Sequence, residues 1–154
     1  MALVRILVDG YSLLHSWPTL IRGQPPHSAA ARNELIRILT QYQDAANTPV
    51  TIFFDGSGAP PHTPKDATNP VEVLFSSGGR TADDLIERAA HRFQEYGEVL
   101  VVTNDRAERD TVNASGGLTV SCLNFIGMVE SALQTLNENV KQYNRNEQKR
   151  FRQS

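Results

Sequence analysis

The sequence predicts one three-layer α/β domain, with helices on both faces of a mostly parallel, about five-stranded central sheet. Helix-like and strand-like segments alternate along the 154 residues, an order typical of parallel sheets. Several strand-like runs are continuously apolar, as strands covered on both faces are. A chain of this length with 40% hydrophobic residues supports one sizeable core but not two.

The first strand is predicted over residues 3–8, a short apolar run that ends at Asp9. The glycine that follows is a turn signal. Ser12 is predicted to cap a short helix, which Pro18 interrupts. Because ligands of open α/β sheets bind beyond the carboxyl ends of the strands, Asp9 lies where an active site is expected.

The next segments predict a long helix, a second strand and a loop. Ser28 caps a helix over residues 29–46, in which apolar residues recur at helical spacing. Residues 50–54 form a strand that again ends in an acid and a glycine, and the acid is Asp55. Residues 57–70 contain four prolines and show no periodicity, which predicts a long loop of the kind that is often functional.

A third strand, a helix and a fourth strand follow. Residues 71–75 form the third strand, and Thr81 caps the next helix, with Asp84 in a capping-box position. Gly97 ends that helix. Residues 99–103 are uniformly apolar, which predicts a central fourth strand.

The remaining elements are a helix over residues 106–114, a fifth strand over residues 118–122 and a final helix from Phe125. We assign residues 1–140 to the domain and residues 141–154 to a basic C-terminal helical extension or tail. This tail carries five basic residues and one acid, a net charge of +4, whereas the other 140 residues carry −6. A basic tail on an acidic body indicates contact with a polyanion, or else a solvated helix end.

The predicted topology brings acids from distant parts of the chain to one edge of the sheet. Asp9, Asp55 and Asp105 follow the first, second and fourth strands. Asp83 and Asp84 open the helix after the third strand. Crowded carboxylates raise one another's pKa values unless a cation neutralises them. Oxygen ligands of this kind suit Mg²⁺ or Mn²⁺, which can activate a water for attack at phosphorus.

Each of these acids also has a purely structural explanation. Asp105 can cap its helix, with Glu108 completing the capping motif. Asp84 can act as a cap as well, and Asp55 can belong to a turn. Asp9 has the weakest structural alternative because it ends a buried strand and opens no long helix. The set as a whole predicts a metal-dependent site without naming the substrate.

Four motifs resemble, in order, those of the YacP-like branch of the NYN domains, which belong to the PIN-like nuclease superfamily. They are Val8-Asp9-Gly10-Tyr11-Ser12 with Trp17-Pro18, Phe54-Asp55, Thr81-Ala82-Asp83, and Val102-Thr103-Asn104-Asp105. The similarity covers residues 3–136, nearly the whole chain. It implies a PIN-like fold and a divalent-metal-dependent endoribonuclease. The family includes a ribosome-associated enzyme that cleaves messenger RNA, so the implied substrate is single-stranded or ribosome-associated RNA.

The resemblance also implies roles for particular residues. Asp9, Asp83 and Asp105 would be the catalytic, metal-binding acids, with Asp84 as an additional ligand and Asn104 beside them. The family's opening motif ends in asparagine, whereas this chain has Ser12. Serine keeps an oxygen but lacks the amide and reaches less far. We therefore expect a changed partner for the metal or for the scissile phosphate.

Five residues near this edge are predicted to contact RNA, by phosphate or polar contact: Ser12, Arg80, Asn104, Arg106 and Arg109. Arg106 and Arg109 can instead pair with neighbouring acids of their own helix. Tyr11 and Trp17 could stack on unpaired bases, although core packing is the favoured explanation for Trp17. The four histidines show no metal-ligand spacing and are assigned no chemistry: His15, His27, His62 and His91.

The leading hypothesis is therefore a metal-dependent endoribonuclease with RNA as its partner and the ribosome as a further candidate partner. The alternative is an RNA- or ribosome-binding module of the same fold with weakened catalysis, which the presence of Ser12 motivates. A phosphorylatable receiver domain is less favoured because it would need a second acid next to Asp9 and a lysine after the fifth strand.

The cellular setting is predicted from the lone cysteine and from hydropathy. Cys122 can form no internal disulfide and is expected to be a small buried hydrophobe, which fits a reducing, cytoplasmic setting. The opening residues are those of a strand rather than of a signal peptide. No apolar run approaches the length of a membrane span, so we expect no membrane partner. The sequence leaves the oligomeric state open.

Overall fold

The computed structural model describes residues 3–56 and 69–153, and these residues form five strands and six helices. The strands are β1 (Leu3–Asp9), β2 (Val50–Phe54), β3 (Glu72–Phe75), β4 (Glu98–Val102) and β5 (Leu118–Val120). The helices are α1 (Gly10–His15), α2 (Pro18–Ile21), α3 (Ala29–Ala46), α4 (Ala82–Phe93), α5 (Arg106–Ala114) and α6 (Cys122–Gln153). Most of the predicted 57–70 loop lies outside the described residues.

The five strands are all parallel and lie in the order β3-β2-β1-β4-β5. This confirms the predicted α/β class and the parallel sheet. β1 is the central strand, and the uniformly apolar β4 is interior beside it.

Side chains of β1 alternate between two apolar clusters, one on each face of the sheet. Ile6 and Val8 belong to the larger cluster, with Leu35 of α3. Leu7 belongs to the smaller cluster, with Ile86 of α4. Helices therefore cover both faces of β1, which explains why its middle residues are continuously apolar.

The carboxyl edge of the sheet, where the parallel strands end, is level across its centre. Asp9 lies opposite Phe53, and Val8 lies opposite Val102, so β1, β2 and β4 end together. The helices that follow strands of this sheet start at this edge, because each must cross back to the opposite edge before the next parallel strand. Asp9 and the first turns of α3, α4 and α5 consequently share one rim.

Two predicted helix starts are wrong, and α4 ends at Phe93, four residues before Gly97. The first short helix is capped by Asp9 rather than by Ser12, because extended Asp9 accepts the Ser12 backbone N–H at 3.4 Å. The fifth strand stops at Val120, and α6 begins at Cys122, whose N–H donates to the Asn104 side chain at 2.9 Å. In both places a side chain, that of Asp9 or of Asn104, accepts a backbone N–H and so sets the start of the helix. The periodicity of the sequence does not show these hydrogen bonds.

The predictions of two other helix caps and of two buried side chains are confirmed. The caps predicted at Ser28 and Thr81 are present, and the box between Thr81 and Asp84 is reciprocal. Trp17 and Cys122 are buried, which confirms core packing for both.

α6 is one continuous helix that leaves the core along its length. Phe125 and Val129 are fully buried, whereas Leu136, Val140 and Tyr143 are exposed. The helix runs without a break through residue 140, so a boundary there stays a prediction. Within the described part of the chain, no helix combines the length and the apolar character that crossing a membrane requires.

We predict that Gly10→Ala destabilises the fold by about 1–3 kcal/mol, because a Cβ atom there would lie 2.3 Å from Cε1 of Phe54. Phe54 is fully buried and cannot move without disturbing the core. Urea denaturation gives the difference in the free energy of unfolding. The matched control is Gly127→Ala on α6, where an added Cβ meets no atom within 4 Å. Equal stability of Gly10→Ala and wild type would contradict the prediction.

Candidate active site

Three acids meet at the carboxyl edge and form what we call the acid cluster: Asp9, Asp83 and Glu108. Each contributes a carboxylate oxygen, and these three oxygens lie within 4.8 Å of one another. Asp9 ends the central strand, Asp83 lies in the first turn of α4, and Glu108 lies in the first turn of α5. The cluster therefore depends on the whole sheet and not on one loop.

Asp9 is held by hydrogen bonds from Ser12. The Ser12 hydroxyl donates to Oδ2 at 2.9 Å, and the Ser12 backbone N–H donates to Oδ1 at 3.4 Å. Burial raises the pKa of Asp9 above its ordinary value, and the nearby charges of Asp83 and Asp55 raise it further. The Ser12 hydrogen bonds oppose this shift, since they favour the carboxylate.

Glu108 is the most buried member of the acid cluster, with only 3% of the residue exposed. Its Oε2 accepts from the hydroxyl of fully buried Thr103 at 3.1 Å. Its Oε1 has no hydrogen-bond partner among the described residues. An orphaned carboxylate oxygen at this depth calls for either a proton or a cation.

Burial, then the neighbouring Asp83 carboxylate, raises the pKa of Glu108 to about 9. Without a cation, burial and repulsion between the two carboxylates therefore favour a protonated Glu108 at neutral pH. Displacing the proton frees an oxygen for a metal ion.

Asp55 and Asp84 position the cluster from outside it. Oδ1 of Asp55 accepts the backbone N–H of Ala82 at 2.6 Å, which joins the end of β2 to the start of α4. The Asp84 carboxylate accepts the Thr81 N–H at 3.4 Å as part of the capping box. Both contacts orient the helix turn that carries Asp83.

Asp105 is exposed and acts as the N-cap of α5. Its Oδ1 accepts the backbone N–H groups of Ala107 at 2.8 Å and of Glu108 at 3.2 Å. Within the described residues, the acid cluster includes Glu108 and not Asp105. Asp105 is therefore a helix cap next to the acid cluster, whereas Glu108, three residues later, belongs to the cluster.

Sequence reasoning missed Glu108 because the pair Asp105 and Glu108 matches a capping motif. In a reciprocal box the glutamate would turn back to the N-cap backbone. Here the hydroxyl of Thr103 holds its side chain inward instead. The position of Glu108 in the first turn of the helix that follows an interior strand could have identified it, because a side chain there can reach the end of that strand.

The polar residues predicted to contact RNA have different surroundings. Asn104 is exposed, but its side chain joins two helices, donating to the Ser16 hydroxyl at 3.1 Å and accepting from Cys122 at 2.9 Å. Three arginines are also exposed, and no ion pair involves them in the described ranges: Arg80, Arg106 and Arg109. The alternative pairing of Arg106 and Arg109 within their helix is therefore not formed there.

The donor set of the acid cluster fits a hard divalent cation. Three carboxylates converge, and one of their oxygens is buried without a partner. Asp9, Asp83 and Glu108 would hold the ion. Carboxylates that converge beyond the central strand of a parallel sheet, with exposed arginines near them, define a domain suited to phosphodiester chemistry.

Comparison with known proteins identifies the family. Residues 6–154 match the YacP-like NYN domain, and the chain belongs to this family. It is 28% identical over 137 residues to the uncharacterized protein YacP of Bacillus subtilis strain 168, covering 88% of this chain and 81% of that protein. The family is one of PIN-like nucleases, so membership implies an RNase with RNA as its substrate.

Solved structures agree with this assignment. The chain is similar to the crystal structure of Rae1 (YacP) from Bacillus subtilis, with a TM-score of 0.75 and 26% identity, over 92% of this chain and 81% of that one. The W164L mutant of that protein gives a TM-score of 0.73 at 26% identity, over 90% and 81%. The PIN-like fold expected from the motifs is thus confirmed.

We predict that Glu108→Gln becomes increasingly stable relative to wild type as pH rises, when metal is absent. The folded pKa of about 9 lies above the ordinary value of 4.5, so folded wild type binds more protons than the unfolded chain between these values. Wild type therefore loses stability as pH rises through this window, whereas glutamine has no proton to lose.

Thermal melts in EDTA at pH 5 and pH 8 measure this effect. The gap between the two proteins should widen by at least about 1 kcal/mol, equivalent to about 2–4 °C for a chain of this size. Titrating groups that do not interact with Glu108 are common to both proteins and cancel, so the difference reports the coupled titration of Glu108 and its carboxylate neighbours. Melting curves that stay parallel across this pH range would exclude a raised pKa at Glu108.

Proposed function

We propose that this protein is a divalent-metal-dependent endoribonuclease that cleaves single-stranded or ribosome-associated RNA with a metal-activated water. The observation that carries the proposal is the unpartnered oxygen of Glu108, buried against two other carboxylates. Such a group is costly unless a proton or a cation satisfies it. Mg²⁺ and Mn²⁺ match carboxylate ligands and also bind phosphate oxygens.

The protein would supply three oriented carboxylates. Ser12 holds Asp9, the capped start of α4 holds Asp83, and Thr103 holds Glu108. When bound, a divalent ion lowers the pKa of a coordinated water and neutralises charge that develops on the phosphate. Because Glu108 must lose its proton to bind a cation, metal affinity should increase with pH.

RNA would be held by cations around this rim and along α6. Exposed Arg80, Arg106 and Arg109 lie in or next to first turns of helices at the carboxyl edge. Residues 141–154 add a net charge of +4. These cations would contact phosphates without reading sequence. A ribosome-bound RNA is the substrate that the family resemblance favours, and the basic helix supports contact with such a polyanion.

The second candidate is an RNA- or ribosome-binding module with weakened catalysis, because Ser12 replaces the asparagine of the family motif. The 2.9 Å hydrogen bond from Ser12 to Asp9 favours the nuclease. It supplies the Asp9 carboxylate with a donor despite the shorter side chain. The two candidates share the RNA surface and differ in turnover.

We expect Mn²⁺ to raise the melting temperature of wild type but not of Asp9→Asn or Glu108→Gln. At a free Mn²⁺ concentration of about 100 times Kd, the stabilisation should be about 2.7 kcal/mol. Cleavage of a labelled single-stranded RNA should fall by more than about 100-fold in both variants, since even outer partners of metal sites contribute about 10- to 100-fold.

Asp105→Asn is the matched control, because asparagine also caps helices. It should keep the response to Mn²⁺ and most of the cleavage activity. A loss of both in Asp105→Asn, together with their retention in Glu108→Gln, would show that Asp105 is the third ligand instead.

We expect wild type and Ser12→Asn both to cleave the RNA in Mn²⁺, since Ser12 already hydrogen bonds to Asp9. Initial rates with equal amounts of folded protein, checked by thermal melts, give the comparison. Cleavage by Ser12→Asn alone would favour the binding module over the nuclease.

A further inference from the structure

We infer that the exposed His27 ring is a platform on which an unpaired RNA base stacks, next to the acid cluster. The inference rests on the proposed action on RNA and adds to it a residue that positions the substrate. It comes from a series of four rings, here called the ring column: Phe75, Phe54, Tyr11 and His27.

The ring column leads from the core to the surface. Phe54 is fully buried and stacks on Phe75 with centroids 5.4 Å apart. Tyr11 contacts Phe54 at 4.9 Å, and His27 packs on Tyr11 at 4.2 Å with an interplanar angle of 34°. His27 itself is exposed, so the column ends at the solvent with an aromatic ring.

Polar contacts hold this exposed ring in place. Arg32 donates to the Tyr11 hydroxyl at 3.2 Å and to the His27 carbonyl at 2.8 Å. Nε2 of His15 lies 3.2 Å from Nε2 of His27, and the two rings meet edge to face at 5.1 Å. The imidazole is thus bound through its edge and supported on one face. An ordered ring of this kind loses little conformational entropy when a base packs on it.

The platform lies on the same rim as the acid cluster. Tyr11 is two residues beyond Asp9, and Gly10 between them packs directly on Phe54. His27 precedes α3, which starts at the carboxyl edge and returns to the opposite edge before β2. A nucleotide on His27 would therefore lie beside the phosphate chemistry rather than behind the sheet.

The chemistry favours an unpaired base as the ligand. A ring face recognises the π-face of any base, and only an unstacked base can offer that face. The neighbouring guanidinium of Arg32 favours an anionic strand over a neutral aromatic ligand. Trp17, the other aromatic side chain considered for this role, is 4% exposed and unavailable.

The test is fluorescence anisotropy with single-stranded oligoribonucleotides that each carry one abasic nucleotide, in EDTA so that the RNA stays intact. Wild type should lose about 5- to 150-fold in affinity when one particular position lacks its base. His27→Ala should bind the unmodified RNA more weakly by a similar factor and should no longer respond to that abasic position. His27→Phe should bind like wild type, because it keeps the ring.

His91→Ala is the matched control, since His91 is also an exposed histidine but lies in the last turn of α4, at the opposite edge. It should behave like wild type. If His27→Ala shows wild-type affinity and wild-type abasic sensitivity, the platform is excluded. If His27→Phe binds as weakly as His27→Ala while both melt like wild type, stacking is also excluded.

These results separate the platform from the proposed nuclease. Cleavage by wild type in Mn²⁺ together with an unaffected His27→Ala removes the platform and leaves the nuclease. The abasic signature at His27 without any cleavage in Mn²⁺ supports the platform and removes the nuclease. A wild-type protein that neither binds RNA in EDTA nor cleaves it in Mn²⁺ overturns both.

Discussion

Mutual repulsion among the carboxylates of the acid cluster is the constraint on which the rest of this structure depends. Three acids converge at the end of the central strand, and one of them, Glu108, is almost completely buried. Without a cation the cluster tolerates this by retaining a proton, because burial first and the neighbouring Asp83 carboxylate second raise the pKa of Glu108. The same electrostatic cost supports the proposed binding of a divalent ion at this site.

The surrounding residues hold the repelling groups in place. Acids outside the cluster stabilise helix starts by accepting backbone N–H groups. Asp55 and Asp84 do so at the start of α4, and Asp105 does so at the start of α5. Ser12 and Thr103 supply hydroxyl donors to members of the cluster. One rim therefore contains two groups of acids: one group orients helices, and the carboxylates of the other converge at the end of β1.

The outer surface of the rim complements this negative centre. Arg80, Arg106 and Arg109 are exposed near the carboxyl edge. The ring column ends in the exposed ring of His27, on the same rim as Asp9. An RNA strand offers both phosphates and unpaired bases, and these features would engage each of them separately. Membership of the YacP-like NYN family is consistent with such a substrate.

The sequence by itself determined the parallel sheet, most helix caps and the gathering of acids at one rim, because these follow from periodicity, local capping and the rule that parallel strands end together. The family resemblance pointed to Asp105 and left Glu108 as a capping partner, since three residues of spacing in a first helical turn match a capping motif. Only the tertiary structure shows Glu108 buried against Thr103, whereas Asp105 is exposed and caps α5. It also brought His27 onto Tyr11 across 16 residues that show no common period. Whether a side chain of a first helical turn faces inward depends on the groups packed around it, and for Glu108 these include Asp9 and Asp83 from distant parts of the chain.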